Sequence, residues 1–238
     1  MIDLHCHILP GIDDGAADLA DSLAMARQGA DDGIDVICAT PHIRHDHDVR
    51  IRELATRVAE LNAELKRREV EVSVVGGGEV AETAADGLTD DELRAVSLGG
   101  RWILLEPAPG PLGRSLLRAA ARLRRRGYRS LIAHPERHPG PNLRDRLEEL
   151  VAAGSLVQAT AALLAEGAAS EALLDLARAG LVHVLGSDAH SARFGRPVAI
   201  SAALARLGEA AELRPHLHWI AREAPAAIVR GDDPVPPF

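Results

Sequence analysis

Two histidines stand two residues apart near the start of the chain, where the apolar stretch from Met1 runs into His5 and His7. Because side chains alternate between the two faces of a strand, both imidazoles are predicted to project from the same side. Two imidazoles on one side are suited to bind one metal ion, and the carboxylates of Asp13 and Asp14 follow closely. A lone histidine is more often a hydrogen-bonded core residue, so the metal hypothesis depends on the rest of the chain.

Histidines and carboxylates recur where later apolar stretches end. Six of the seven predicted strands end in such residues, and those that follow the first strand are His42, Glu79, Glu106, His134, Asp188 and His190. Only the sixth strand, with Gln158 and Thr160, offers no metal-type ligand. The carboxyl ends of the strands form the active-site face of α/β barrels. A carboxylate directly after an apolar strand is costly unless something pairs with it, and a multinuclear metal site supplies that partner.

The elements that would position these residues are short apolar strands that alternate with helices. The predicted strands are Ile2–His5, Asp35–Ala39, Val70–Val75, Trp102–Leu105, Ser130–Ala133, Leu156–Ala159 and Val182–Leu185. The predicted helices are Ala17–Asp31, Val49–Glu69, Leu112–Arg126, Leu143–Ala153 and Ser170–Ala179. This alternation indicates a parallel sheet with right-handed crossovers. Closed on itself, the sheet would be a (β/α) barrel that lacks one of the usual eight units, and an open doubly wound sheet is the alternative.

Composition argues against several classes of protein. The net charge of −8 disfavours a general nucleic-acid-binding surface, which needs a basic stripe. Two cysteines are too few for a disulfide framework and indicate a reducing compartment. The sequence shows neither a signal-peptide pattern nor a run of about 18 apolar residues, so we expect a cytoplasmic protein without a membrane span. Residues 1–238 are expected to form a single domain, with a loosely ordered tail at 232–238.

Four motifs resemble the PHP (polymerase and histidinol phosphatase) family of metal-dependent phosphoesterases. They are Asp3-Leu4-His5-Cys6-His7, Thr40-Pro41-His42, Ala133-His134-Pro135-Glu136-Arg137 and Ser187-Asp188-Ala189-His190. Within that family the chain is most similar to the bacterial CpsB/YwqE-type protein-tyrosine phosphatases. The features that carry this closer similarity are Asp13-Asp14-Gly15, Glu106 at a strand end and Gly195-Arg196-Pro197. The resemblance covers the chain from Met1 to about Arg230 and implies a distorted seven-stranded (β/α) barrel of PHP type.

The resemblance also implies three bound metal ions. One would be held by His5, His7, Glu79 and Asp188, a second by Glu79, Glu106 and His134, and the third by Asp14, His42 and His190. Nitrogen and oxygen ligands without thiolate suit Mn²⁺, Fe or Zn²⁺, and manganese is the metal we expect. Cys6 points away from both neighbouring histidines and is predicted to be a core residue.

By the same resemblance, Arg137 and Arg196 would hold the substrate phosphate, and Asp14 and His42 would be catalytic. The loop before Arg196 contains one residue more than the family pattern, so Arg193 is an alternative for the second phosphate-binding arginine. A metal-activated hydroxide would attack phosphorus opposite the leaving phenolate, because bound metals lower the pKa of water toward ~7.

The implied function is metal-dependent hydrolysis of phosphotyrosine in proteins. The expected partner is the tyrosine-rich tail of a bacterial tyrosine kinase that controls capsule or exopolysaccharide assembly. The alternatives are a small-molecule phosphatase, such as one that acts on histidinol phosphate, a PHP-type nuclease, and a non-catalytic metal-binding module. The acidic balance disfavours the nuclease, and the complete ligand set disfavours the non-catalytic module. The sequence leaves the oligomeric state open.

Other polar residues close to these motifs have plainer interpretations. Asp13 either orients a metal ligand or caps its loop. His45 and His47 are expected in a solvated loop, and His138 is expected to be exposed. His183 lies inside a predicted strand and is expected to be structural.

Overall fold

Nine strands lie within residues 1–235, which are the residues described by the computed structural model of the chain. They are β1 (Ile2–Cys6), β2 (Val36–Ala39), β3 (His42–Ile43), β4 (Ser73–Gly76), β5 (Glu79–Ala81), β6 (Trp102–Glu106), β7 (Arg129–Ile132), β8 (Leu156–Thr160) and β9 (Val184–Gly186). One sheet has the order β1-β2-β4 and the other β3-β5-β6-β7-β8-β9, with every neighbouring pair parallel. The predicted α/β class with parallel strands is therefore confirmed.

The predicted count of seven strands is not confirmed, because two of the predicted strands are each followed at once by another short strand. β2 and β3 are separated by Thr40 and Pro41, and proline has no N–H to donate to a ladder. β4 and β5 are separated by Gly77 and Gly78. A Cβ at Gly77 would lie 2.6 Å from Leu98 Cδ2, so the chain passes too close to its neighbours for a side chain. At both breaks the chain leaves the three-stranded sheet and joins the six-stranded one.

The first strand also touches the segment that follows the last strand. The N–H of Asp188 donates to the carbonyl of His5 at 2.8 Å, and the N–H of His7 donates to the carbonyl of Ala189 at 2.9 Å. Cys6 and Ala189 form a parallel bridge between these contacts. The carboxyl ends of β1 and β9 therefore lie side by side, and the polar residues that follow both strands meet there.

Nine α-helices connect or flank the strands in the described part of the chain. They are α1 (Leu19–Asp31), α2 (Leu54–Arg67), α3 (Asp90–Val96), α4 (Arg114–Arg125), α5 (Leu143–Ala152), α6 (Ala161–Ala165), α7 (Ser170–Arg178), α8 (Ser201–Gly208) and α9 (Ala224–Arg230). The five predicted helices correspond to α1, α2, α4, α5 and α7. α2 is shorter than predicted because Ile51–Glu53 forms a separate 3-10 turn before it. The N-cap of α1 is Asp18, whose carboxylate accepts the N–H of Asp21 at 2.8 Å.

The core between these elements is almost wholly aliphatic, because only 2% of the residues are aromatic. Cys6 and Cys38 are both buried free thiols, and burial raises the pKa of each thiol well above its usual value. Cys6 is thus the core residue that strand alternation predicts. No helix among residues 1–235 is long and apolar enough to cross a membrane.

The start of the predicted loose tail at 232–238 has defined partners. The indole N–H of Trp102 donates to the carbonyl of Asp232 at 2.9 Å. The carboxylate of Asp233 lies 3.2 Å from the guanidinium of Arg129. These contacts hold the chain against the amino ends of β6 and β7, and the last three residues lie outside the described ones.

Candidate metal centre

Glu79, the first residue of β5, lies at the centre of a cluster of imidazoles. Strand register places it directly opposite His42 of β3. Its Oε2 lies 3.4 Å from Nε2 of both His5 and His7, and 2.9 Å from Nδ1 of His42. Its Oε1 lies 2.7 Å from Nε2 of His134. The side chain is fully buried, so one carboxylate without exposed surface faces four imidazoles.

The structure brings all nine predicted ligands together in four overlapping groups. In each group one nitrogen or oxygen atom per residue lies within 4.8 Å of the others. The groups are His5, Glu79 and His134; His5, His7 and Asp188; His42, Glu79 and Glu106; and His7, Asp14, His42 and His190. They share His5, His7, His42 and Glu79, so the centre is a single continuous site.

Two further side chains fix which ring nitrogen His5 and His7 each turn toward Glu79. Nδ1 of His5 lies 3.0 Å from Oε1 of Gln158, and Nδ1 of His7 lies 2.8 Å from Oδ2 of Asp13. Both oxygens accept, so each Nδ1 carries a proton and each Nε2 is the nitrogen that a cation can bind. Asp13 therefore orients a predicted ligand. Gln158 comes from the one predicted strand that offers no metal-type ligand, and strand alternation was the signal that could have found its role.

The donor set fits a metal cation. Oε2 of Glu79 and Nδ1 of His42 are buried and make no well-formed hydrogen bond among residues 1–235, although the two atoms lie only 2.9 Å apart. Burial lowers the pKa of His7, but its contacts with Asp13 and Glu79 outweigh burial and raise that pKa to about 10. Burial raises the pKa of Glu79, but the surrounding imidazoles hold it well below its usual range. Without a bound cation, protons on the imidazoles balance the negative charge of the carboxylates. A cation would compete with these protons for the lone pairs of the imidazole nitrogens.

The backbone is strained at two of the predicted ligands. His134 has φ 30° and Asp188 has φ 50°, in the left-handed region that L-residues seldom adopt. Such a conformation costs about 1–3 kcal/mol and persists where the surroundings enforce it, as at functional sites. Gly186 is also required, because a Cβ there would lie 2.7 Å from Cβ of His5.

An open cavity of about 340 Å³ leads into the centre, and two predicted arginines line it. Arg137 donates to Oδ2 of Asp188, and a guanidinium nitrogen of Arg196 lies 3.2 Å from the same oxygen. The other carboxylate oxygen of Asp188 faces His5 and His7. Arg193 does not line the cavity and instead lies 3.8 Å from Asp18, so the geometry favours Arg196 as the second arginine.

Some residues near the centre were missed or misjudged from the sequence. Arg44 lines the cavity and donates to Oε1 of Glu106 at 3.3 Å. The ring of His47 stacks on that of His42 with centroids 5.0 Å apart, whereas His45 is exposed as expected. A loop residue without a strand pattern gives no sequence signal for either contact.

His138 was expected to be exposed, and that prediction is wrong. Its side chain is buried, and Nδ1 lies 2.9 Å from the carbonyl of Gly110. The 3-10 turn Pro135–Arg137 separates His134 from His138 and brings the ring of His138 back toward that of His134, with the two centroids 6.1 Å apart. His183 has the structural role expected of it, because its Nδ1 accepts the N–H of Val157 at 3.2 Å.

A family model described as "Capsular polysaccharide synthesis, CpsB/CapC" matches residues 1–218. The chain belongs to the CpsB/CapC family. The predicted resemblance is thereby confirmed. A tyrosine-protein phosphatase, YwqE of Bacillus subtilis, is 34% identical over 204 residues, which are 81% of this chain and 78% of that protein. A putative tyrosine-protein phosphatase, CapC of Staphylococcus aureus, is 28% identical over 80% of this chain and 77% of its own length.

The architecture also matches a solved member of the CpsB/CapC family. The crystal structures of YwqE from Bacillus subtilis and CpsB from Streptococcus pneumoniae are described as unique metal-dependent tyrosine phosphatases. A chain from that work superposes with a TM-score of 0.83 at 31% identity, covering 99% of this chain and 100% of the other. The agreement extends over the whole fold and includes the strands that carry the centre.

Proposed function

We propose that this CpsB/CapC-family chain is a metal-dependent protein-tyrosine phosphatase. The observation that carries the proposal is the convergence of nine histidine and carboxylate side chains at the base of a cavity whose lining includes Arg137 and Arg196. The arginines supply donors for phosphoryl oxygens, and the imidazoles and carboxylates supply a cation site directly beneath them. The relatives named as tyrosine-protein phosphatases support the choice of substrate over histidinol phosphate or a nucleic acid.

The site residues divide the work between cation binding and phosphate binding. His5, His7 and Glu79 present lone pairs to the centre, and cations held there would lower the pKa of water toward ~7. Arg137 and Arg196 contact the phosphoryl oxygens and thereby orient phosphorus for in-line attack. Both guanidinium groups contact Oδ2 of Asp188, so they are already positioned in the cavity before substrate binds.

The leaving group makes modest demands on the site. A tyrosine phenolate leaves readily, because the pKa of its conjugate acid is about 10. A serine alkoxide is far more basic and needs a proton from a general acid. The residues that line the cavity include no cysteine, so the proposed reaction does not pass through a cysteinyl phosphate.

The overlapping groups support a finer proposal for the metals. Three cations would be held as the family pattern implies, with Glu79 shared between two of them. Asp14 and His42, together with His190, would hold the third cation. The mixture of imidazole and carboxylate suits manganese, with iron or zinc as alternatives. The Cys6–Ala189 bridge and the two strand breaks support a distorted barrel of seven units, in which β2/β3 and β4/β5 each count as one.

The proposed setting is the cytoplasm, where the partner would be a phosphotyrosine protein. The tyrosine-rich tail of a bacterial kinase that controls capsule or exopolysaccharide assembly is the partner we propose. The support is the family description, which refers to capsular polysaccharide synthesis. The acidic net charge of −8 disfavours a general nucleic-acid-binding surface.

Steady-state kinetics on three substrates tests the proposed function. Freshly purified protein, depleted of metal with a chelator and then reloaded with Mn²⁺, Fe²⁺ or Zn²⁺, is assayed on a phosphotyrosine peptide, histidinol phosphate and a dinucleotide. We expect the highest kcat/KM on the peptide and no turnover after chelation. Faster turnover of histidinol phosphate, or full activity in the chelated protein, would overturn the proposal.

A further inference from the structure

Phe194 is an exposed phenyl group at the edge of the cavity that leads to the metal centre. Its side chain is 71% exposed and lines that cavity together with Arg137 and Arg196. Exposing a phenyl ring to water is unfavourable, so its position calls for a reason. The chain has few aromatic residues, and the other described ones are all buried: Trp102, Tyr128 and Trp219.

The loop that carries Phe194 is anchored on both sides of it. Before it, the N–H of Ala192 donates to the buried carboxylate of Asp21 in α1 at 3.0 Å. After it, Nε of Arg196 donates to the carbonyl of Asp188 at 2.8 Å. Because buried groups hold both ends, the loop presents the ring at the cavity edge beside the arginine that would contact phosphate.

The rest of the cavity wall consists almost entirely of polar and charged side chains. They are Asp14, His42, Arg44, Glu106, Arg137, His190 and Arg196. These groups can bind a phosphoryl head, and none of them is an apolar side chain. A phenyl ring placed among them suits a phosphomonoester whose organic group is itself aromatic, because ring pairs gain stability beyond simple burial.

We propose that Phe194 is a specificity residue that packs against the phenyl ring of phosphotyrosine while Arg137 and Arg196 contact the phosphoryl oxygens. The inference rests on the proposed function and deepens it, because it assigns recognition of the ring to one side chain. Serine and threonine phosphates place no ring against Phe194. The contact is made equally in the bound substrate and the transition state, so it acts on KM and leaves kcat unchanged.

The test compares one ligand that has a ring with one that has none. We expect Phe194→Ala to raise KM for a phosphotyrosine peptide roughly 5- to 20-fold, which is what a lost ring contact removes. The inhibition constant of inorganic phosphate, which occupies only the phosphoryl site, stays within about twofold of wild type. Phe194→Tyr keeps the ring and restores KM, and Phe194→Leu gives an intermediate value.

Val235→Ala is the matched control, since Val235 is the other exposed large apolar side chain within residues 1–235. We expect wild-type kinetics from it. An unchanged KM in Phe194→Ala overturns the inference, and so does an equal rise in KM and in the phosphate inhibition constant, which shows a general loop defect. A metal-loaded wild type that does not hydrolyse the peptide overturns the proposed function, and with it the inference.

Discussion

Replacing Glu79 with glutamine should empty the metal centre and leave the fold in place. The substitution keeps the size of the side chain and removes its charge. Oε2 of Glu79 faces the nitrogens of His5, His7 and His42 at 3.4, 3.4 and 2.9 Å, and an amide cannot balance a cation among them. The NH₂ group of the glutamine side chain would also point its hydrogens at the imidazole nitrogens. The partial positive charge of these hydrogens would repel a cation.

The size of the effect follows from burial. Removing one partner of a buried charge pair costs about 3–5 kcal/mol. At about 1.4 kcal/mol for each factor of ten, metal binding should weaken by roughly 10²- to 10⁴-fold. Activity should fall at least in proportion to the metal lost.

Metal content and thermal unfolding measure this directly, without relying on activity. Wild-type protein should copurify with metal, and its melting temperature should rise with added Mn²⁺, because a ligand that binds only the folded state stabilises it. The Glu79→Gln variant should show neither effect. Glu82→Gln is the control, because Glu82 is also buried but belongs to none of the four ligand groups. Wild-type metal content in Glu79→Gln would refute the central role given to this carboxylate.

Three further predictions test other parts of the molecule. Burial lowers the pKa of His183 to about 4, so the unfolded chain takes up a proton near pH 6.5 that the folded protein refuses. The free energy of unfolding is therefore highest above pH 6.5 and falls by roughly 3 kcal/mol as the pH drops toward 4. His183→Gln should remove this part of the pH dependence, measured by urea unfolding at several pH values. The same dependence of unfolding free energy on pH in the variant and the wild type would contradict the prediction. Arg137→Ala should raise KM for a phosphotyrosine peptide about 10- to 100-fold, because a charge-assisted hydrogen bond contributes about 1.5–3 kcal/mol. The metal content should stay unchanged. A wild-type KM in this variant would count against the phosphate contact. Asp233→Ala should lower the free energy of unfolding by about 1 kcal/mol, because its ion pairs with Arg101 and Arg129 are partly exposed and contribute little. An unchanged free energy of unfolding in urea would show that these contacts of the tail do not stabilise the fold.

The predicted strands match observed strands because short apolar runs between turns have few other solutions in a buried parallel sheet. The breaks within them were not predictable. Pro41 and Gly77 look like ordinary turn residues in the sequence, and only their neighbours show that the chain changes sheets there. His138 was misjudged for a similar reason, since a tight turn decides its burial and no periodic pattern reports that turn.

The sequence was enough to predict which residues could bind a cation and that they would meet, because parallel strands bring their carboxyl ends to one edge of the sheet. It also determined the family, through motifs spread over most of the chain. The folded chain was needed for the details of recognition: Asp13 and Gln158 as partners of the histidines, Arg196 rather than Arg193 in the cavity, and Phe194 at its edge. These contacts are set by packing rather than by local sequence. Alternation along a strand fixes which face a side chain occupies, but hydrogen bonds between residues 153 positions apart, and the path of an exposed loop, depend on how the whole chain packs.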